Sequence, residues 1–325
     1  MPGRGKRGFT RRDFLRGTGL GTLGWGLAAA GCQRDAAIDS PGVTPPPPPG
    51  PKVAIARDPN VISEDGTEVN ADLVKDLVEK ALNELTATDS LEAAFRQMIP
   101  STSKVGVKHS VMMTPVHDEV LYAIWDGLQD AGVAAENVIT WDRRVGHRGY
   151  RSGETLDLDY DDEHVSEVCS EHADVLISVP RLKTHWLAGI AACLKNWAGA
   201  VSKLNVQDDN TPWPIHADSC VDIGMMQAHP SIRDKAKLCV VDALYPLCHG
   251  GPQVNPEYLW PCGAIVAGTD AVAVDRVCLD IIQQRRNEMK GEAWPLNPPP
   301  KHIMTAAEKY GLGEANLDRI TVVEV

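Results

Sequence analysis

Short apolar runs alternate with segments of helical periodicity along the chain from residue 52 onward. The apolar runs are typical of buried strands, and they lie at 53–56, 105–107, 138–141, 175–179, 238–241, 264–267 and 320–325. Apolar residues recur at helical spacing over 71–85 and over 114–132. This alternation predicts an α/β fold with a mostly parallel sheet and helices on both faces. We assign residues 52–325 to one α/β domain, although their number would also suffice for two.

Residues 1–31 do not follow this pattern, and they predict export. The sequence Thr-Arg-Arg-Asp-Phe-Leu-Arg at 10–16 is a twin-arginine signal, and a weakly apolar, Gly-rich segment follows over 17–30. The segment is too short and too rich in glycine to be a good candidate for a transmembrane helix. A basic N-terminal tail is the alternative, but the apolar segment argues against it. We therefore predict a twin-arginine signal peptide and a periplasmic or otherwise extracytoplasmic location.

A proline-rich linker is predicted at 32–51, between the signal and the domain. Ala-Ala-Gly-Cys at 29–32 is similar to a lipoprotein cleavage site, which makes Cys32 the candidate for lipidation and membrane anchoring. Cleavage without acylation, which would release the protein, is the alternative. Five consecutive prolines at 45–49 favour an extended, stiff spacer.

Composition narrows the classes of partner. Residues 1–31 hold six basic residues and one acidic residue, so their removal changes the net charge from −12 to −17. Such an acidic protein is a poor match for nucleic acid, so no nucleic-acid partner is expected. Seven cysteines follow Cys32, and no two of them have the Cys-x-x-Cys spacing of ferredoxin or zinc-ribbon sites.

The clearest candidate chemistry follows the strand predicted at 175–179. The sequence continues Pro-Arg-Leu-Lys-Thr-His, and an extended backbone there would place Lys183 and His185 on the same side. Ligands of open α/β sheets bind beyond the carboxyl ends of the strands. A lysine and a histidine at such an end predict a site for an anion, or a metal site in which His185 is the ligand.

A helix is predicted to begin at Thr184 or His185 and to run to about Ala198. It would carry Lys195 and Asn196 on an otherwise apolar segment. Lys195 either extends its stem along apolar surface with the charge in water, or points inward at a charged group.

Two further strand ends carry glycine or acidic residues. His249-Gly250-Gly251 follows the strand at 238–241, and glycines there allow either a close backbone approach to a ligand or a simple turn. Asp270 follows the strand at 264–267 and is placed to cap a helix. Asp275 lies on an apolar face of that helix, so it needs a partner, for which Lys195 or Lys183 is the candidate.

These segments together resemble a known family. The resemblance is to the domain-of-unknown-function family 362, and it extends from about Lys52 to Ile282. The matching sequence blocks lie at 174–185, 194–199, 250–252 and 268–275. Members of that family are often associated with iron–sulfur modules, so the resemblance implies a redox context without supplying an activity. This chain lacks the ferredoxin cysteine motif of the fused members. It also lacks the standard nucleotide-binding and hydrolase motifs.

The sequence therefore predicts an exported, redox-associated protein that binds a cofactor or metal and has an anionic-ligand site at the strand ends. The candidate catalytic residues are Lys183, His185, Lys195, Asn196 and Asp275. The candidate cofactor-binding residues are Thr184, His249, Gly250, Gly251 and Asp270. A metal or an iron–sulfur cluster is the candidate cofactor, and the expected partners are an anionic small molecule and a redox protein. A non-catalytic ligand-binding lipoprotein and an assembly factor for a redox enzyme are the alternatives.

Overall fold

The fold is described from a computed structural model, which describes residues 50–145, 159–204 and 212–325. The predicted signal peptide, Cys32 and the five-proline run lie outside these residues. Export and lipidation therefore stay predictions. Among the described residues, no helix combines the length and apolarity needed to cross a bilayer.

A central sheet organises the domain, and every strand expected from the apolar runs belongs to it. The strands are β1 (Lys52–Arg57), β2 (Val105–His109), β3 (Val138–Asp142), β4 (Arg144–Val145), β5 (Val175–Val179), β6 (Arg181–His185), β7 (Gly189–Ala191), β8 (Ala236–Leu247), β9 (Ala264–Gly268) and β10 (Thr321–Glu324). Their order is β10-β1-β9-β8-β5-β2-β3-β4, with β6 paired to both β7 and β8. The sheet is mostly parallel, which confirms the predicted fold class.

Strand β9 departs from the parallel pattern, because it runs antiparallel to both β8 and β1. The connection from β8 to β9 contains only one short 3-10 turn, Pro256–Tyr258. A parallel connection usually crosses one face of the sheet through a helix, but residues 248–263, all of which the structure describes, form no α-helix, and the chain returns antiparallel.

Helices cover both faces of the sheet, as predicted. They are α1 (Ala71–Thr86), α2 (Leu91–Met98), α3 (Asp118–Asp130), α4 (Cys193–Asn196), α5 (Gly224–Gln227), α6 (Pro230–Arg233), α7 (Ala271–Lys290) and α8 (Lys301–Glu308). Alternate residues of β1 belong to separate apolar clusters: Ala54 and Ala56 pack with α1, α2 and α3, whereas Val53 and Ile55 pack with α4, α7 and α8. This alternation is the side-chain period of a strand buried on both faces.

The segment after β5 corrects one prediction. Instead of a helix from Thr184 or His185 to Ala198, the chain continues extended through β6, turns back into β7, and becomes helical only in α4 and in the 3-10 turn Trp197–Ala200. The reason is tertiary: β8 extends beyond the central strands, and β6 pairs with its last part. Gly189 adopts φ +74° in the hairpin, and an added Cβ there would lie 2.8 Å from the Pro298 carbonyl oxygen.

Candidate functional site

A cavity lies at the carboxyl ends of β2, β3 and β5 and along β6. Its volume is about 440 Å³, and we call it the main cavity. Its polar lining includes Lys108, Asp142, Lys183, His185, Lys195 and His216. Apolar walls are supplied by Met112, Leu187, Leu204 and Pro252. The position agrees with the general rule for ligand sites in open α/β sheets.

An ion pair lies at the bottom of the polar lining. Lys108 is 1% exposed, and its Nζ donates hydrogen bonds of 2.7 Å to Asp142 Oδ1 and 2.7 Å to the His109 carbonyl oxygen. Burial alone would raise the pKa of Asp142, but the Lys108 ammonium outweighs it and holds that pKa below its usual value. The second oxygen, Asp142 Oδ2, accepts a bond of 3.1 Å from the Val111 amide. Both charges are therefore satisfied within the protein.

Asn196 connects α4 to this pair. Its amide nitrogen donates to the Lys108 carbonyl oxygen at 2.7 Å and to Ser178 Oγ at 3.0 Å, while its oxygen lies 3.3 Å from Lys108 Nζ. Gly199 follows close by, and a Cβ there would lie 1.9 Å from Asp142 Oδ1. The helical segment thus packs directly onto the ion pair. Asn196 fixes the position of Lys108, and its amide is already hydrogen-bonded within the protein.

Two lysines that line the main cavity have a different environment. Lys183 is 7% exposed, and its Nζ donates to the Met112 carbonyl oxygen at 2.9 Å. Lys195 is partly buried, and its Nζ lies 3.5 Å from His216 Nε2. Neither lysine has a carboxylate oxygen of the described residues within 4.0 Å of its Nζ. As far as the structure describes the chain, the cavity therefore holds two lysines without a carboxylate on either ammonium.

These surroundings lower the pKa of both lysines. Burial, followed by the charges of Lys195 and Arg181, lowers the pKa of Lys183 to about 8. Burial likewise lowers the pKa of Lys195. Each of these shifts means that an anion in the cavity would be favoured by the protonated lysine and would in turn stabilise it.

His185 is a neutral ring in this site. Its Nδ1 accepts hydrogen bonds of 3.2 Å from the amides of both Leu187 and Ala188, so the ring proton resides on Nε2. Burial, with the charge of Lys195, lowers the pKa of His185 to about 3. The ring stacks on His216 with centroids 6.1 Å apart, and burial lowers the pKa of His216 to about 4.

The described side chains differ from the ligands that hold a metal ion or an iron–sulfur cluster in proteins. A ligating histidine normally donates its other ring N–H to an acceptor, whereas His185 Nδ1 accepts from two amides. In the described part of the chain, no group of three or more His, Cys, Asp or Glu side chains could hold a metal ion. All seven cysteines described are buried, and none forms a disulfide. The residues described therefore do not fit a resident metal or cluster.

A smaller cavity of about 330 Å³ lies on the other side of β6, and it receives part of the predicted cofactor site. Thr184, His249 and Gly250 line it, and His185 lines both cavities. Gly251 is a point of close approach: its φ is +69°, and a Cβ would lie 2.1 Å from the Thr184 carbonyl oxygen. Gly251 thus allows the loop after β8 to pack on β6.

Two predicted site residues, Asp270 at the N-cap of α7 and Asp275 within α7, line neither cavity. Asp270 caps α7 as predicted, since its Oδ1 accepts from the amides of Val272 and Ala273, both at 2.9 Å. Asp275 is fully buried, and its carboxylate accepts from the amides of Cys193 at 2.6 Å and Leu194 at 3.2 Å. The expected lysine partner of Asp275 is therefore wrong, because backbone amides at the start of α4 fill that role.

Several lining residues were missed by sequence reasoning. Lys108 and Asp142 each end an apolar run that was recognised as a strand, and that position was the available signal. Arg181 was named only as part of a motif, and its guanidinium is held by the carbonyl oxygens of Tyr245 and Pro115. His216 and Asp218 could supply ligands two residues apart, but histidine is common at protein surfaces, so the pair was too unspecific to mark a site.

Fold and site together define an α/β protein with a cation-rich cavity at the carboxyl ends of its strands. Residues 160–280 match the profile of the family described as a domain of unknown function (DUF362). The matched span runs from before β5 into α7, so it includes Lys183, His185, Lys195 and Asn196. The match supports the resemblance noted from the sequence for residues 160–280, and its expected extension back to about Lys52 stays a prediction. The chain matches no curated protein.

Proposed function

We propose that this protein binds an anionic small molecule in the main cavity, and that Lys183 and Lys195 hold its anionic group. One observation carries the proposal: two buried or partly buried lysines line one cavity, and neither is paired with a carboxylate among the described residues. Of the lining residues that the structure describes, Asp142 is the one with a carboxylate, and it is already bound to Lys108.

An ammonium group that is removed from water loses its hydration, and a charged or hydrogen-bonding partner must offset this loss. Lys183 has a single carbonyl acceptor and Lys195 a neutral imidazole at 3.5 Å. A carboxylate or phosphate between them would supply the missing charge. His185, with its proton on Nε2, would donate a further hydrogen bond. A volume of about 440 Å³ lies within the usual range for small-molecule sites.

Export and a redox context complete the proposal. The twin-arginine signal at 10–16 supports export. Association with iron–sulfur proteins is what the resemblance noted from the sequence implies. Because the described donor set does not fit a metal or cluster, we assign the redox centre to a partner protein. The anionic ligand would then be the component that this chain contributes.

Calorimetry on the mature protein, exported in its own host, tests the anion site. Oxalate and inorganic phosphate are the probes, and uncharged oxamide is the control ligand. We expect saturable binding of an anion that weakens at least tenfold in Lys183→Met and in Lys195→Met. Lys75→Met changes an exposed lysine of α1 that lines neither cavity, so it should bind like the wild type. Affinities for oxalate that are equal in all four proteins, or absent throughout, would overturn the proposal.

Metal analysis and a visible absorption spectrum test the redox assignment. The protein should be purified without oxygen from its native compartment. We expect no stoichiometric metal and no visible chromophore. One equivalent of iron or another metal that remains bound would contradict the assignment of the redox centre to a partner, without affecting the calorimetric result.

A further inference from the structure

Lys183 has features that mere anion binding does not require. We propose that the ligand of the main cavity is an oxo acid, and that Lys183 Nζ forms an imine with its carbonyl carbon. This inference rests on the proposed anion site and names the chemical class of its ligand. Lys195 then holds the carboxylate, and Lys183 supplies the nucleophile.

Geometry distinguishes Lys183 from the other lysines of the cavity. Lys108 Nζ is held by Asp142 Oδ1 and by the His109 carbonyl oxygen, both at 2.7 Å, so this amine is already engaged within the protein. Lys183 Nζ donates one hydrogen bond, to the neutral Met112 carbonyl oxygen at 2.9 Å, among the described residues. That acceptor remains usable after reaction, because a protonated imine keeps one N–H.

The neighbouring charges favour the free amine. A lysine becomes nucleophilic when it is desolvated or lies beside another cation, and both conditions hold for Lys183. With a pKa of about 8, about a tenth of the side chains are neutral at pH 7, against roughly one in three thousand for an ordinary lysine.

His185 provides the complementary group on the carbonyl side. It lies two residues along β6, so its side chain leaves the strand on the same side as that of Lys183. Both line the main cavity. With the proton on Nε2, the neutral ring can donate a hydrogen bond to the carbonyl oxygen and polarise it, as neutral histidines do elsewhere.

The reaction balances without an oxidant or reductant. The Nζ lone pair attacks the carbonyl carbon and gives a carbinolamine. One amine proton passes through water to the former carbonyl oxygen, and a second proton comes from the solvent. The C–O bond breaks, one water leaves as the C=N bond forms, and the protonated imine keeps the remaining N–H. The alternative is that Lys183 only contributes charge, in which case a hydroxy acid should serve as well as an oxo acid.

Borohydride trapping tests the proposal on the wild-type mature protein. Pyruvate and 2-oxoglutarate are the probes, and lactate, which lacks the carbonyl, is the matched control. Reduction should add the mass of the oxo acid less one oxygen atom, and peptide mapping should place the addition on Lys183. Lactate should bind in calorimetry but leave the mass unchanged.

Two variants sharpen the result. Lys183→Arg keeps a positive charge but has no nucleophilic amine, so trapping should be lost while the thermal unfolding midpoint stays close to that of the wild type. Lys75→Arg should trap like the wild type. Addition at another lysine, or trapping that persists in Lys183→Arg, would overturn the imine.

Binding and trapping separate the two proposals. If the acids bind and borohydride leaves the mass unchanged, the imine is wrong and the anion site stands. If no acid binds and none is trapped, both are wrong.

Discussion

Substitution of Asp275 by asparagine should change how the stability of the protein depends on pH. Asp275 is fully buried in α7 and accepts hydrogen bonds from the amides of Cys193 and Leu194. Burial outweighs these two bonds and raises the pKa of Asp275 from 3.8 to about 7. The folded state therefore prefers the protonated carboxyl over a wide pH interval.

Proton linkage gives the sign and the size of the change in stability that Asp275 causes as the pH rises. Between pH 3.8 and about 7 the folded protein holds a proton on Asp275 that the unfolded chain has released, so stability falls as pH rises through this interval. Each pH unit in this interval lowers the free energy of unfolding of the wild type by about 1.4 kcal/mol, which gives roughly 4 kcal/mol in total. The asparagine of the variant does not ionise. It offers one acceptor oxygen fewer than the carboxyl group, which lowers the stability of the variant by about 1–3 kcal/mol at every pH.

Urea unfolding of both proteins at intervals from pH 4 to pH 8 measures the effect. We expect Asp275→Asn to be less stable than the wild type at pH 4 and to gain roughly 4 kcal/mol relative to it by pH 8. The comparison must be made at each pH, because His185, His216 and His302 have lowered pKa values and act in the opposite direction.

Asp280→Asn is the matched control, since it removes a partly exposed carboxylate from the same helix. A difference between Asp275→Asn and the wild type that stays constant within 1 kcal/mol from pH 4 to pH 8 would refute the reasoning. Asp275 would then be ionised in the folded state throughout, and the two amides would outweigh burial.

The contacts of Asp270, Lys108 and Lys183 predict two further changes in stability and one in anion affinity. Asp270→Ala should destabilise the fold by about 1–2 kcal/mol in urea unfolding, because it removes the cap of α7, whereas Asp270→Asn should lose less. Lys108→Met should cost about 3–5 kcal/mol, because it leaves the buried Asp142 carboxylate without its partner, and the double variant Lys108→Met/Asp142→Asn should cost less than the sum of the single changes. Oxalate affinity, measured by calorimetry from pH 6 to pH 9, should be highest at low pH and fall as pH rises through about 8, where Lys183 loses its charge. An affinity independent of pH would mean that Lys183 does not contact the anion.

The hydrophobic pattern was sufficient to predict the α/β class and the positions of the strands. A continuous apolar run records burial on both faces of a sheet, and that property belongs to the segment itself. The capping role of Asp270 was equally local, because a cap needs only the residue and the helix that follows it. The strand-end position of Lys183 and His185 followed from the same reasoning.

The hairpin of β6 and β7 was not predictable in this way. The segment carrying Lys183 and His185 is extended because it pairs with β8. The sequence of residues 181–191 does not indicate that β8 extends beyond the central strands. The expected helix failed for this reason. The site residues nevertheless kept their shared side, since alternation depends only on an extended backbone.

The sequence alone determined the seven strands that carry apolar runs, where α7 begins and which charged groups follow the strand ends, because each depends on a few consecutive residues. The tertiary structure alone decided which of those groups meet. Lys108 and Asp142 come together because β2 and β3 are neighbours in the sheet, and Asp275 faces the start of α4 because α7 packs across it. Strand order and helix packing bring together residues that are far apart in the chain, so a pattern of consecutive residues cannot predict these contacts.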